Sequence, residues 1–80
     1  MVSIADLKPG QKGVITPFDV ERIPTKLLEL GCLPGNTVEL LQIAPLNDPI
    51  HIDLNGSRVA IRRSVAEEIT LEIVENNSRK

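Results

Sequence analysis

Apolar and polar positions alternate in short bursts along this 80-residue chain. Gly or Pro interrupts them about every ten residues, the spacing of short strands joined by tight turns. The clearest burst has Ile50, Ile52 and Leu54 alternating with His51, Asp53 and Asn55, which predicts a half-buried strand. Asn55-Gly56 is the preferred dipeptide of a type I′ hairpin turn. A two-residue loop there pairs Leu54 with Ser57, Asp53 with Arg58, Ile52 with Val59 and Ile50 with Ile61. Apolar then meets apolar on one face, while Asp53 meets Arg58 on the other.

The remaining elements follow from turn residues and phase. Lys8-Pro9-Gly10-Gln11 predicts a type II turn, and Leu33-Pro34-Gly35-Asn36 repeats it. Each opens a strand, over Gln11 to Thr16 (with Val14 and Ile15) and over Thr37 to Ile43. In the second, alternation changes phase between Leu40 and Leu41, which predicts a bend or bulge. Between the strands, Ile23, Leu27 and Leu30 share one helical face, Pro24 suits the first helical position and Gly31 the C′ position. Ser64-Val65-Ala66-Glu67 reads as a capping box opening a single helical turn. Ile69, Leu71 and Ile73 alternate again as a last strand. The fold expected is mainly β: a small five-stranded barrel with one short inserted helix and one short C-terminal helical turn. One domain over residues 1–75 is followed by a flexible polar tail at 76–80.

Composition narrows the function. The chain carries nine basic and eleven acidic side chains for a net charge of −2, against the basic excess that non-specific nucleic-acid binding needs. Phe18 is the one aromatic residue, so there is no platform on which to stack bases. The first residues lack the basic-then-apolar order of a signal peptide, and no stretch approaches the roughly 20 apolar residues of a membrane span. The single cysteine, Cys32, excludes an internal disulfide. A cytoplasmic protein without direct membrane insertion is expected.

Candidate chemistry is sparse. Ser3, Ser57, Ser64 and Ser78 have no base at a recognisable spacing, and one His completes no triad. Pro9-Gly10-Gln11-Lys12-Gly13 lacks the spacing of a phosphate loop. His51 and Cys32 stand alone, without a Cys-x-x-Cys, His-x-x-x-His or Glu-x-x-His partner. His51 reads as a surface side chain and Cys32 as a small buried hydrophobe. No catalytic residue, metal site or cofactor is expected. Arg22, Arg58, Arg62 and Arg63 are available to act in trans on a GTPase, although each reads more simply as a solvated charge.

Three blocks carry a family resemblance: Leu7 to Gly13, Leu27 to Gly35 and Ala44 to Pro49, followed by Asn55-Gly56 through Arg62. From about Ser3 to Val74 the chain resembles the ferrous iron transport protein A (FeoA) family. The resemblance implies an SH3-like barrel working in the cytosol beside FeoB, the membrane GTPase that carries ferrous iron in bacteria. A similar fold occurs as the C-terminal domain of iron-dependent repressors, which implies the alternative of a metal-responsive regulatory module. Asn47 stands where members usually have Gly, and Asn tolerates the left-handed conformation that such a turn uses.

Binding is what remains, and Phe18 alone cannot build the aromatic groove that polyproline ligands require. Leu28, Cys32 and Leu33 flank the helix end, off the stripe of Ile23, Leu27 and Leu30, and Leu46 sits in the Pro45-to-Pro49 loop. The choice for Leu28 and Leu33 lies between completing the core and forming an exposed apolar patch. With Arg58 and Arg62 these residues are the partner-binding candidates. An uncovered edge strand would also permit self-association, which leaves the oligomeric state open.

Overall fold

The computed structural model describes residues 2–74. Among these residues, six strands form one antiparallel sheet: β1 (Val2–Ser3), β2 (Lys12–Ile15), β3 (Thr37–Ile43), β4 (Ile50–Leu54), β5 (Ser57–Ile61) and β6 (Thr70–Val74). Their spatial order is β1-β6-β2-β3-β4-β5, so the last strand slots between the first two. The two helices are short, α1 (Thr25–Glu29) and α2 (Arg63–Ala66).

Local chemistry accounts for most of these elements. Asn55 and Gly56 both take positive φ, 52° and 96°, as a type I′ turn requires. The β4–β5 register is the one the alternation predicts, from Leu54 opposite Ser57 to Ile50 opposite Ile61. Gly10 and Gly35 supply the left-handed residue of the two Pro-Gly turns, which Gln11 N–H to Lys8 C=O and Asn36 N–H to Leu33 C=O close at 2.9 and 3.1 Å. β3 pairs with β4 in two registers, shifting between Leu40 and Gln42, so Leu41 is the extra residue of a bulge.

α1 ends in a Schellman motif. Cys32 N–H donates to Leu27 C=O and Gly31 N–H to Leu28 C=O, with Gly31 at φ 111°. Pro24 stands just outside the helix as its N-cap residue, one position earlier than the first helical position expected of it.

The core is aliphatic. Ile4, Ile15, Val38, Leu40, Ile50, Ile52, Leu54 and Ile69 are essentially inaccessible, and Phe18 packs against them from the margin. Gly13 belongs to this packing: a Cβ there would lie 2.8 Å from Leu71 Cδ1, so Leu71 occupies the space that a side chain would need. The alternation of the last strand holds as far as Leu71, while Ile73, opposite Gly13 in β2, is 44% exposed.

Three expectations need correction. The sheet has six strands rather than five, because Val2 and Ser3 pair with Leu71 and Thr70. A capping box exists, but at Ser3, whose hydroxyl accepts from Ala5 N–H and whose own N–H donates to Asp6 at 2.9 Å. The helical turn at 63–66 starts one residue before Ser64, with Arg62 as its N-cap residue and no cap from that residue's own side chain. Its first amide, on Arg63, donates instead to Asp48 Oδ1 at 3.0 Å, across fifteen positions of sequence. The proposed tail, 76–80, lies outside the described residues.

Asp48 therefore does for α2 what a local Ser was expected to do. Asp48→Ala should lower stability by about 0.5–2 kcal/mol in urea unfolding, the usual cost of a lost cap. Asp48→Asn should retain most of that stability, and Ser64→Ala should stay within about 0.5 kcal/mol of the parent.

Candidate functional site

A groove runs between α1, β5 and α2. Its lining is Pro24, Lys26, Leu27 and Leu30 on one wall, Val59 to Arg62 on the other, and Val65 at the end. At about 390 Å³ it falls in the lower range of pockets that hold a ligand. Its position follows from parity. β5 turns Ile61 fully and Val59 partly inward, and α1 turns Leu27 fully inward while Leu30 is left half-buried. Two elements that share one core thus leave a cleft where their half-buried side chains meet.

The rim is basic although the chain as a whole is acidic. Lys26 and Arg62 line the groove, and Arg58 lines a cleft on the outer face beside His51, Gln42 and Ala60. Among the described residues Lys26, Arg58 and Arg62 enter no ion pair, whereas Arg22 pairs with Asp19 and Glu68, and Arg63 with Glu67. Arg58 faces Asp53 in the ladder, but the Asp53 carboxylate accepts from Gly56 N–H at 2.8 Å and closes the hairpin turn instead.

Beyond Arg62 lies the loop of Pro45–Asn47. Leu46 is 96% exposed and holds φ 72°, a left-handed conformation that a Leu adopts only at a cost. Leu46 is thus a left-handed residue of this loop. Asp48 ties the loop to the start of α2, and Asp48, Pro49 and Arg62 line a shallow hollow between loop and groove. Leu46, Arg62 and the groove therefore share one end of the molecule.

The six binding candidates do not form a single patch. Cys32 drops out as a surface contact, since it is 1% exposed and sits in the core beneath the Schellman turn. Leu28 is half-buried against the core, and Leu33 is 43% exposed on the turn that enters β3. Leu46 follows the far end of β3, roughly 20 Å away along a seven-residue strand. Arg62 shares the groove with Leu30, Val59, Val65 and Lys26, none of which the sequence marked as a binding candidate, while Arg58 lies on the outer face of β5. The available signal was the Val59/Ile61 alternation in a strand with only one sequence-evident partner.

Neither His51 nor Cys32 has company suited to a metal. Among the described residues no three of His, Cys, Asp and Glu converge on a common point. Burial pushes the Cys32 thiol from 9.0 up to about 11.

The FeoA domain family model matches residues 2–73. A curated relative, the Fe(2+) transport protein A/Fe(2+) transporter FeoB fusion protein of Porphyromonas gingivalis, is 30% identical over 76 residues. The match takes in 94% of this chain but only 9% of that protein. Among solved structures, the FeoA protein of Chlorobium tepidum superposes with a TM-score of 0.82 at 31% identity, covering 96% of this chain and 74% of its own. The zinc-complexed FeoA of Stenotrophomonas maltophilia, described as a procaryotic SH3 domain protein, gives 0.76 at 21% identity over 90% and 91% of the two chains. T. acidophilum IdeR shares the fold, with a TM-score of 0.75 at 20% identity, over 91% of this chain and 34% of that one.

The buried thiol has a pH signature. Because the folded chain holds its proton more tightly than the unfolded chain, stability is unaffected below about pH 9 and falls as pH rises from 9.0 towards 11. The decline in urea midpoint across that window should be steeper in the parent than in Cys32→Ala, and native protein at neutral pH should resist alkylation by iodoacetamide.

Proposed function

This chain belongs to the FeoA family, and on that premise we propose that it is a non-enzymatic accessory protein of bacterial ferrous iron uptake, docking on the GTPase transporter FeoB. The observation that carries the reading is the apolar groove, lined by the half-buried side chains of Leu30, Val59 and Val65 and rimmed by Lys26 and Arg62, which enter no ion pair among the described residues. The fusion in the P. gingivalis relative supports it further, since joining two modules in one chain raises their effective concentration for each other.

Among the described residues no helix is long and apolar enough to cross a membrane. In this reading the chain works in the cytoplasm and reaches the membrane's inner face through its partner. Ferrous ion is the transporter's cargo in this scheme, and the accessory protein acts by contact. The docking face comprises Leu30, Val59, Arg58, Arg62 and Leu46, with Leu28 and Leu33 at the opposite end of β3. The alternative of a metal-responsive regulatory module rests on likeness of fold alone. A ferrous titration under anaerobic conditions separates the two, because a sensor changes its amide spectrum on binding iron and an adaptor does not.

Tagged protein should capture FeoB from cross-linked membranes of iron-starved cells. Leu30→Asp and Leu46→Asp should each cut the yield by at least about tenfold, the scale of an interface hot spot. Leu33→Asp should leave it near the parent level. Equal capture by all three variants, with each one folded, would remove the groove face from the reading.

A further inference from the structure

Among the described residues, β5 is a sheet edge of five residues with a partner on one side only. Its register decides what the open side offers. Leu54 and Ser57 flank a two-residue turn and so exchange hydrogen bonds, and alternation along the ladder makes Ile52–Val59 and Ile50–Ile61 the other bonded pairs. The backbone groups of Arg58 and Ala60 consequently point away from β4. Among the described residues neither makes a backbone hydrogen bond outside the sheet.

The side chains along this edge divide by the same parity. Val59 and Ile61 belong to the groove, where Leu27, Leu30 and Val65 face them. Arg58 and Ala60 are exposed on the outer face, and Arg62 continues the row in extended conformation at φ −69° and ψ 147°. A strand laid against β5 would send alternate side chains into an aliphatic cleft and the intervening ones between two arginines.

A second copy of the chain does not suit this edge. Two-fold pairing of β5 with itself about Ala60 would place each Arg58 opposite the other copy's Arg62, and pairing about Val59, which uses the whole strand, would set the two Arg58 side chains diagonally across the ladder; like charges that close destabilise either register. The same guanidinium groups favour carboxylates, and Lys26 adds a third cation at the rim.

We propose that the β5 edge and its groove together receive an extended partner segment in which apolar residues alternate with Asp or Glu, added to the sheet as a further strand. This rests on the docking reading above and specifies the chemistry of the segment. Main-chain bonds to Arg58 and Ala60 supply the pairing, the groove selects aliphatic side chains, and the arginine row selects acidic ones. Raised salt weakens the complex by screening that row.

A fluorescein-labelled octapeptide of four Glu-Val repeats, titrated against the whole protein by anisotropy, tests the proposal. It should bind at least about tenfold more tightly than Lys-Val or Glu-Gly octapeptides. At saturation, amide exchange at Arg58 and Ala60 should slow by a similar factor, while the Val2 edge stays unchanged. Arg58→Glu combined with Arg62→Glu, both exposed, should turn the preference towards Lys-Val. Equal binding of the three peptides, or unaltered exchange at Arg58 and Ala60, would overturn the proposal. So would protection of those amides on concentrating the protein alone, which would mean that a second copy occupies the edge. Absent peptide binding with intact capture of FeoB refutes the segment chemistry alone, whereas peptide binding without capture refutes the transporter-docking reading.

Discussion

The fold depends on β3 pairing along both of its edges at once. Lys12, Gly13 and Val14 of β2 take one edge, and all of β4 takes the other. A strand of strict alternation could not serve both ends of so small a sheet. The extra residue at Leu41 resets the phase, so Val38 and Leu40 face the core before the bulge, and Ile43 meets Ile50 after it. From that bend follow the curvature that encloses the aliphatic core and the placement of β5 at an outer limit of the sheet.

What was legible in the sequence was what chain neighbours decide for themselves. Asn55-Gly56 fixes a register because two flanking strands have nowhere else to go, and the Pro-Gly turns and Gly31 fix backbone sign by sterics alone. A two-residue strand such as Val2–Ser3 is too short to show alternation, so β1 was not legible. Asp48 escaped notice for a different reason. Its partner amide is far away in sequence, and a nearby Ser offered a plausible local acceptor where the helix does not use one.

The proposed docking face was half legible. Arg58, Arg62 and Leu46 could be named from residue type and loop position. Their assembly with Leu30, Val59 and Lys26 depends on which strand the sheet leaves unpaired, a global property that no window of sequence carries. Net charge misled in the same way: a total of −2 conceals a groove rim where Lys26 and Arg62 enter no ion pair among the described residues. Leu28 and Leu33 illustrate the converse, since helix-end position alone could not say how much of each the core would cover.

The core built without Tyr or Trp also has an optical consequence. With Phe18 as its sole ring, the protein absorbs almost nothing near 280 nm and contributes no indole emission. In any complex it forms, tryptophan fluorescence and its quenching belong wholly to the other component. The protein is a dark ligand, and a partner's own chromophores can report its arrival without a label.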